Sequence, residues 1–415
     1  MSIFDVILVY TKNMELTIYR GTNEIGGNCV ELANNNTRIL FDFGLPLNAM
    51  DIENIKLEDY KPNIHSNYNA VFLSHAHPDH YGLLSLLDKS TPIYASTETC
   101  KIIKSIAPLI NKFNIKEHNL IAIDNPIKID DFVITPNDTD HSICGACAYT
   151  INCEEKTIVY TGDIRFHGRC WYKNAKFKKS LGKIDYLIME GTTINRKKNK
   201  KITENSLIPK FTKIFKTKKL NLVEFSPQNL DRFISIYKAC LKAKKTLVID
   251  PYTAYLLELY GEDNKNIPQY HWNNIRIYFA NNSISSALAK SKKLYEYKTK
   301  KISIEEIKEN KTDYVIKGNY IINDKILKEV DKKNLNIVYS KWSGYLNKKN
   351  QFENFKDIIT HIHTSGHANV EDLQKFVDDV KPSSIIPIHT EHKDKYKEFF
   401  NATVVDVNDN EIVEL

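Results

Sequence analysis

Within the stretch Ser74-His75-Ala76-His77-Pro78-Asp79-His80, four side chains can ligate a metal ion: His75, His77, Asp79 and His80. Imidazole together with carboxylate suits zinc and similar borderline cations, whereas calcium and magnesium prefer oxygen alone. In an extended or looped segment, side chains two apart point the same way, so His75 and His77 can grip one ion together. Asp79 and His80 are neighbours, point differently, and can reach a second ion. The bland alternative is a polar loop that happens to be rich in histidine. With 13 histidines in 415 residues, three within six positions beside an aspartate argue for a metal site instead.

Other candidates stand at the ends of apolar runs elsewhere in the chain. Asp42 follows Arg38-Ile39-Leu40-Phe41, and His141 lies in Thr139-Asp140-His141-Ser142. Asp163 follows Tyr160-Thr161-Gly162, beside a glycine that permits close approach of backbone and ion. His389 ends Ser384-Ile385-Ile386-Pro387-Ile388. Taken singly, each is an ordinary surface histidine or turn aspartate. Together they are strand ends carrying metal-competent groups, and in sandwich sheets such ends gather at one rim. The set fills two zinc sites, with manganese as the alternative metal. His75, His77 and His141 take the first ion, Asp79, His80 and His389 the second, and Asp163 bridges them. Asp42 is placed to orient a histidine ring. Two metals ~3.5–4 Å apart can share a hydroxide made at neutral pH and clamp an in-line phosphoryl displacement.

The elements that must position these groups read as many short strands with interspersed helices, a layered α/β sandwich. Ala70-Val71-Phe72-Leu73 is a buried strand leading into the histidine motif. Tyr81 to Leu87 reads as a helix, with Leu83, Leu84 and Leu87 on one face. Near residue 195 a cationic, apolar-free run, Asn195-Arg196-Lys197-Lys198-Asn199-Lys200-Lys201, marks a boundary. Beyond it the pattern becomes a regular βα alternation, a small parallel α/β unit, with Ser283 to Lys311 read as a lysine-rich helix. After about Trp342 the histidines return, and Val370 to Val380 reads as a helix with Leu373, Phe376, Val377 and Val380 on one face. The expected domains are therefore 1–195, an inserted unit 196–342, and 343–415 completing the first.

Composition is that of an ordinary globular chain, 42% hydrophobic and 26% charged, with a formal charge of +7. That balance fits a polyanionic partner without requiring one. Seven scattered cysteines do not form a secreted disulfide framework. Cys144-Gly145-Ala146-Cys147 has knuckle spacing but no second pair to complete a site, so buried thiols are the expectation. Residues 1–13 read as an extra strand or as a leader before Met14. They lack the charged region of a signal, and no stretch is long and apolar enough to span a membrane. The expected location is cytoplasmic.

The histidine motif, with Asp42, His141 and Asp163 in order, resembles the metallo-β-lactamase fold superfamily, which implies an αββα sandwich with a two-metal hydrolytic site. More narrowly, Met189-Glu190-Gly191-Thr192-Thr193 resembles motif A of the β-CASP nucleases. Thr364-Ser365-Gly366-His367-Ala368 resembles motif B, and Pro387-Ile388-His389-Thr390 motif C. The middle section, with Phe225-Ser226-Pro227-Gln228-Asn229-Leu230-Asp231-Arg232, is similar to the β-CASP cap. Arg20 to Gly27 matches the opening of the ribonuclease J group, here without that group's C-terminal domain. Motif A carries Glu190 where that group typically has aspartate.

The resemblance implies a zinc-dependent ribonuclease that hydrolyses single-stranded RNA through a metal-bound hydroxide. In it, Asp79 is both ligand and catalytic residue, His367 protonates the leaving oxygen, and Glu190 orients His367. Ser365, Gly366, His367 and Ala368 contact RNA phosphate. Lysine and arginine from 195–201 and 283–311 attract the strand or merely face solvent, and a homodimer is allowed. A DNA nuclease, or a hydrolase of a non-nucleic-acid substrate on the same fold, is the alternative. The inserted unit argues against a small substrate, and His389 at motif C favours RNA. A scaffold without catalysis is disfavoured because every ligand position is filled.

Overall fold

The computed structural model describes residues 14–47, 68–110, 115, 118–196, 202–280, 283–290, 292–347 and 350–415. The segment 1–13 and residues 197–201 of the cationic run lie outside the described residues. Three seven-stranded sheets organise the chain.

The first sheet runs, in spatial order, Ile412–Glu414, Glu15–Arg20, Cys29–Asn34, Thr37–Phe41, Ala70–Phe72, Pro92–Ala95, Asn119–Ala122. The second runs Thr403–Val404, Ser384–Ile388, Tyr186–Glu190, Lys156–Tyr160, Cys147–Cys153, Phe132–Asp138, Ile127–Ile129. Leu16, Ile18, Phe41 and Phe72 from the first sheet share one fully buried core with Phe132, Tyr149, Tyr160 and Ile388 from the second. The Phe41 ring lies 5.7 Å from that of Tyr149 and 5.5 Å from that of Tyr160. Helix Thr97–Ile110 adds Ile102, Ile103 and Ile106 to the core on the outer side of the first sheet. Helices Trp171–Ser180 and Val370–Val380 cover the second through Phe177, Leu373, Phe376 and Val377. This is the expected αββα sandwich.

Val370–Val380 shows how sequence sets one element. Asn369 caps it by accepting from the Asp372 N–H, and acidic residues fill the first turn, where the helix dipole favours them. Leu373, Phe376 and Val377 recur at helical spacing and are buried. Elsewhere spacing misled. The Tyr81–Leu87 helix is instead a short helix, Pro78–Tyr81, then a 3₁₀ turn, Leu84–Leu86. Leu83, Leu84 and Leu87 are buried all the same, because this segment packs inward. Trp171–Ser180 buries only Asn174 and Phe177, so no apolar stripe announced it.

The third sheet is parallel throughout, ordered Lys301–Ile302, Ile275–Tyr278, Thr246–Ile249, Tyr314–Lys317, Leu220–Glu224, Leu335–Tyr339, Ile359–His361. Pairing of Ile359–His361 with Leu335–Tyr339 carries this layer past residue 342, so the expected boundary there falls inside it. The expected helix from Ser283 to Lys311 is broken into Ser283–Lys290, Lys293–Tyr297, strand Lys301–Ile302 and Ile304–Glu309. Left-handed Lys292 (φ 64°) interrupts it, and Ser303 caps a new start by accepting from the Glu306 N–H. Tyr297, Ile302 and Ile307, all buried, do not lie on one helical stripe.

All seven cysteines are unpaired and five are buried, as expected for core thiols. No helix among the described residues is long and apolar enough to cross a membrane.

Candidate metal centre

The site forms where parallel strands of both sandwich sheets end. Asp42 follows Thr37–Phe41, the His75–His80 motif follows Ala70–Phe72, Asp163 follows Lys156–Tyr160, and His389 follows Ser384–Ile388. Glu190 is itself the last residue of Tyr186–Glu190. Parallel register brings these carboxyl ends to one rim. Asp42 and His389 both adopt left-handed backbone, φ 56° and 52°, a conformation that non-glycine residues hold only when surroundings enforce it.

Three imidazole nitrogens meet on one side. His75 Nε2 lies 2.9 Å from His77 Nδ1, and His141 Nε2 lies 3.3 Å from the same atom. Asp163 Oδ2 stands 3.7 Å from both His75 and His141. On the other side, His389 Nε2 is 3.5 Å from Asp79 Oδ2, and His80 Nε2 is 3.8 Å from it. Asp163 spans the two groups, with Oδ2 3.3 Å from His80 and Oδ1 3.7 Å from His389. Every residue read as a ligand from the sequence is drawn into one cluster of three overlapping groups: His75, His77, His141 and Asp163; Asp79, His80 and His389; and Asp163, His389, Glu190 and His367.

Donor chemistry fits cations. Adjacent ligands of a tetrahedral zinc, with bonds of ~2.0–2.1 Å, sit about 3.3 Å apart. Buried His80 Nε2 and Asp163 Oδ1 have no hydrogen-bond partner, a cost that a bound cation removes. Burial pushes His75 and His141 well below the usual histidine range, and pushes His77 down to about 4. Burial thus favours the neutral form of these rings, the form that ligation requires. Burial acts against the charged forms of Asp79 and Asp163. Surrounding histidines nevertheless hold Asp79 at about 2 and Asp163 well below its usual range. For His80, burial is outweighed by Asp163, Asp42 and Asp79, which push it well above its ordinary value.

A supporting layer fixes these rings. His80 Nδ1 is 2.7 Å from Asp42 Oδ2, which also accepts from Tyr160 Oη at 2.7 Å and from Ser74 Oγ at 2.7 Å. Ser74 Oγ also lies 3.0 Å from His75 Nδ1, so one hydroxyl links both groups. His389 Nδ1 lies 2.7 Å from Thr192 Oγ1. Asp42 was expected in this role, but Ser74, Tyr160 and Thr192 were not singled out. The signal was available, since each lies within or beside a motif already in view. Gly162 (φ 52°) is needed for packing: a Cβ there would come within 2.5 Å of the Ser74 side chain. The close approach it permits among protein groups is to Ser74.

Glu190, fully buried, accepts from the Ile164 N–H at 3.0 Å and lies 3.1 Å from His367 Nδ1. Burial lowers the His367 pKa, but Glu190 and Asp163 together raise it above the ordinary value. Ser365, Gly366 and His367 line a cleft of about 810 Å³ together with His77, Asp79, His141 and His389. The rest of its wall comes from segments that follow strands of the third sheet: Ser226, Pro227, Asn229, Ser340, Lys341 and His363. Ala368 is a correction. It is fully buried, its N–H donates to the Ile164 carbonyl at 2.6 Å, and its carbonyl accepts from Thr193 Oγ1 at 2.5 Å. Nothing of it remains for a phosphate.

The third layer is tied to the sandwich by buried charges. The Arg232 guanidinium pairs with Glu204 at 3.0 Å and donates to the Ser340 and Thr364 carbonyls at 2.7 and 2.9 Å. Arg165, two residues after Asp163, donates to Asp140 at 3.1 Å and to Asp231 at 2.5 Å. The cleft walls are thus bolted together beside the ligand loops.

Comparison with known proteins agrees with this geometry. Residues 37–209 match the Beta-lactamase superfamily domain, and residues 356–399 the Zn-dependent metallo-hydrolase RNA specificity domain. The Methanocaldococcus jannaschii protein named "Probable RNase MJ4" is 29% identical over 220 residues, 48% of this chain and 50% of that protein. Ribonuclease J 2 of Streptococcus pyogenes is 23% identical over 411 residues, 90% of this chain and 69% of that protein. The chain thus spans half to about two thirds of these curated relatives. A crystal structure of a protein of unknown function from Enterococcus faecalis V583 superposes with a TM-score of 0.77 at 22% identity, covering 97% of this chain and 100% of that one. That likeness is one of fold.

Proposed function

Because the chain belongs to the metallo-β-lactamase superfamily, in its β-CASP, ribonuclease J-like branch, we propose that it is a zinc-dependent ribonuclease hydrolysing phosphodiester bonds of single-stranded RNA. The observation that carries this reading is the cleft itself. Overlapping groups of histidine, aspartate and glutamate donors lie along it, and segments that follow strands of the parallel third sheet wall the other side.

His75, His77 and His141 would hold one ion and Asp79, His80 and His389 another, with Asp163 reaching both. When bound, such ions polarise phosphoryl oxygens and lower the pKa of water. The chain's own groups do the rest. Glu190 takes the His367 Nδ1 proton in a hydrogen bond and fixes the ring, which leaves the Nε2 proton for the departing oxygen. Ser365 offers a hydroxyl and Gly366 a backbone N–H to the phosphate. Arg165 and Arg232 keep the opposing wall in register, so a single strand is held along the cleft.

The test is incubation of purified, zinc- or manganese-loaded protein with labelled single-stranded RNA and DNA, alongside measurement of bound metal. RNA cleavage that stops with a chelator is the expected result. Intact RNA would overturn the proposal, and preferential DNA cleavage would reassign the substrate.

A further inference from the structure

Two large aromatic side chains stand in water at the edge of the cleft. Trp342 is 47% exposed and Tyr345 is 48% exposed, and both line the cleft with Asp79, His367 and His389. Isolated exposed aromatics are common, but these two meet edge to face, ring centroids 5.3 Å apart at 85°. The Arg196 guanidinium lies 5.5 Å from the Trp342 ring centroid. Gly344 passes so close that a Cβ there would come within 2.3 Å of the indole. The indole is therefore held in place from several sides, yet left open to solvent.

Its position is also particular. Trp342 and Arg196 line both the main cleft and an adjoining cavity of about 420 Å³, and His363, Ser365 and His367 form the same dividing wall. A strand lying across the catalytic groups and continuing into the second cavity would pass over this ring.

Resting on the ribonuclease reading above, we propose that Trp342, braced by Arg196 and Tyr345, is a stacking surface for one unpaired base of the bound strand. The adjacent Arg196 cation faces that nucleotide's backbone. Stacking of this kind accepts any base, because every base has a π-face, and it requires that the base be unpaired. The platform therefore selects single strands over duplexes without reading sequence.

The test compares wild type with Trp342→Ala, Trp342→Phe and Gly344→Ala in the full chain. Substrates are a short labelled single-stranded RNA and versions with one abasic site placed in turn at each position. Trp342→Ala should raise KM by about tenfold or more with kcat little changed. Trp342→Phe should restore most of the loss, and Gly344→Ala, which displaces the ring, should mimic the alanine variant. In wild type one abasic position should raise KM similarly, and that penalty should vanish in Trp342→Ala. Thermal midpoints are measured in parallel. Wild-type KM in Trp342→Ala, or an abasic penalty unchanged in that variant, overturns the platform while leaving the ribonuclease reading intact. Wild-type protein that cleaves no nucleic acid overturns that reading, and the platform with it.

Discussion

Replacing Asp42 by Asn tests whether the metal centre depends on a group that touches no metal. Asp42 is fully buried at φ 56°, a backbone conformation that asparagine tolerates well, so the change is electrostatic rather than conformational. Its Oδ1 accepts from the Ser74 N–H at 2.7 Å, and its Oδ2 accepts at 2.7 Å each from Ser74 Oγ, Tyr160 Oη and His80 Nδ1. Asparagine must point its amide nitrogen at one side or the other. The cheaper choice sacrifices the single Ser74 N–H contact and keeps three bonds to a now neutral acceptor. Bonds to a charged group are worth about 1.5–3 kcal/mol against about 1 for neutral ones, and an orphaned buried donor costs about 1–3 kcal/mol. Three weakened bonds and one orphaned donor should thus cost the folded state roughly 2.5–9 kcal/mol. The His80 ring, no longer anchored by a carboxylate, should bind its ion about 10–100-fold more weakly. Chelator-competition titration with zinc and thermal unfolding read these two effects separately. An Asp42→Asn protein that binds two ions with wild-type affinity would refute the assignment of Asp42 as the anchor of His80.

Four further outcomes are expected. Glu190→Gln should lower kcat by about 10²–10⁴ while metal content, measured by elemental analysis, stays at the wild-type level; metal loss would place Glu190 among the ligands instead. Chelator treatment should abolish cleavage and lower the thermal midpoint, since ions that bind only the folded chain stabilise it; an unmoved midpoint contradicts a built site. Arg232→Met leaves Glu204 buried without its closest partner and should cost about 3–5 kcal/mol in denaturant unfolding. His363 is pushed down to about 3, first by burial and then by Arg232. An unfolded histidine protonates near 6.5, so the unfolded chain binds more protons between those values and stability falls as pH drops below 6.5. His363→Gln should flatten that acid slope of the midpoint; identical slopes would show that His363 is not responsible.

The candidate ligands were legible because metal chemistry restricts residue types severely, and local spacing concentrated four of them in one motif. His75, His77 and His80 announced themselves by density alone. His141, Asp163 and His389 were legible only as a class, polar groups at the ends of apolar runs. Glu190 and His367 came from resemblance, since a lone glutamate and a glycine-turn histidine carry no spacing signal. Ala368 illustrates the limit: its side chain gives no hint that its N–H is already taken by Ile164. Helices with a clean apolar stripe, such as Val370–Val380, were equally readable. Trp171–Ser180 was not, because it buries one small polar and one aromatic residue among lysines.

What the sequence by itself determined was the donor set, the layered α/β class and the presence of an inserted βα unit, because these follow from residue chemistry and from periods of two and 3.6. Only the tertiary structure brought those donors within reach of one another. Asp79 and His389 lie 310 positions apart in the chain yet 3.5 Å apart in space, brought together by parallel pairing of Ser384–Ile388 with Tyr186–Glu190. Register between strands and the buried arginines that lock the third layer onto the sandwich are long-range choices. No local pattern encodes them, since their energy exists only once distant segments have closed on one another.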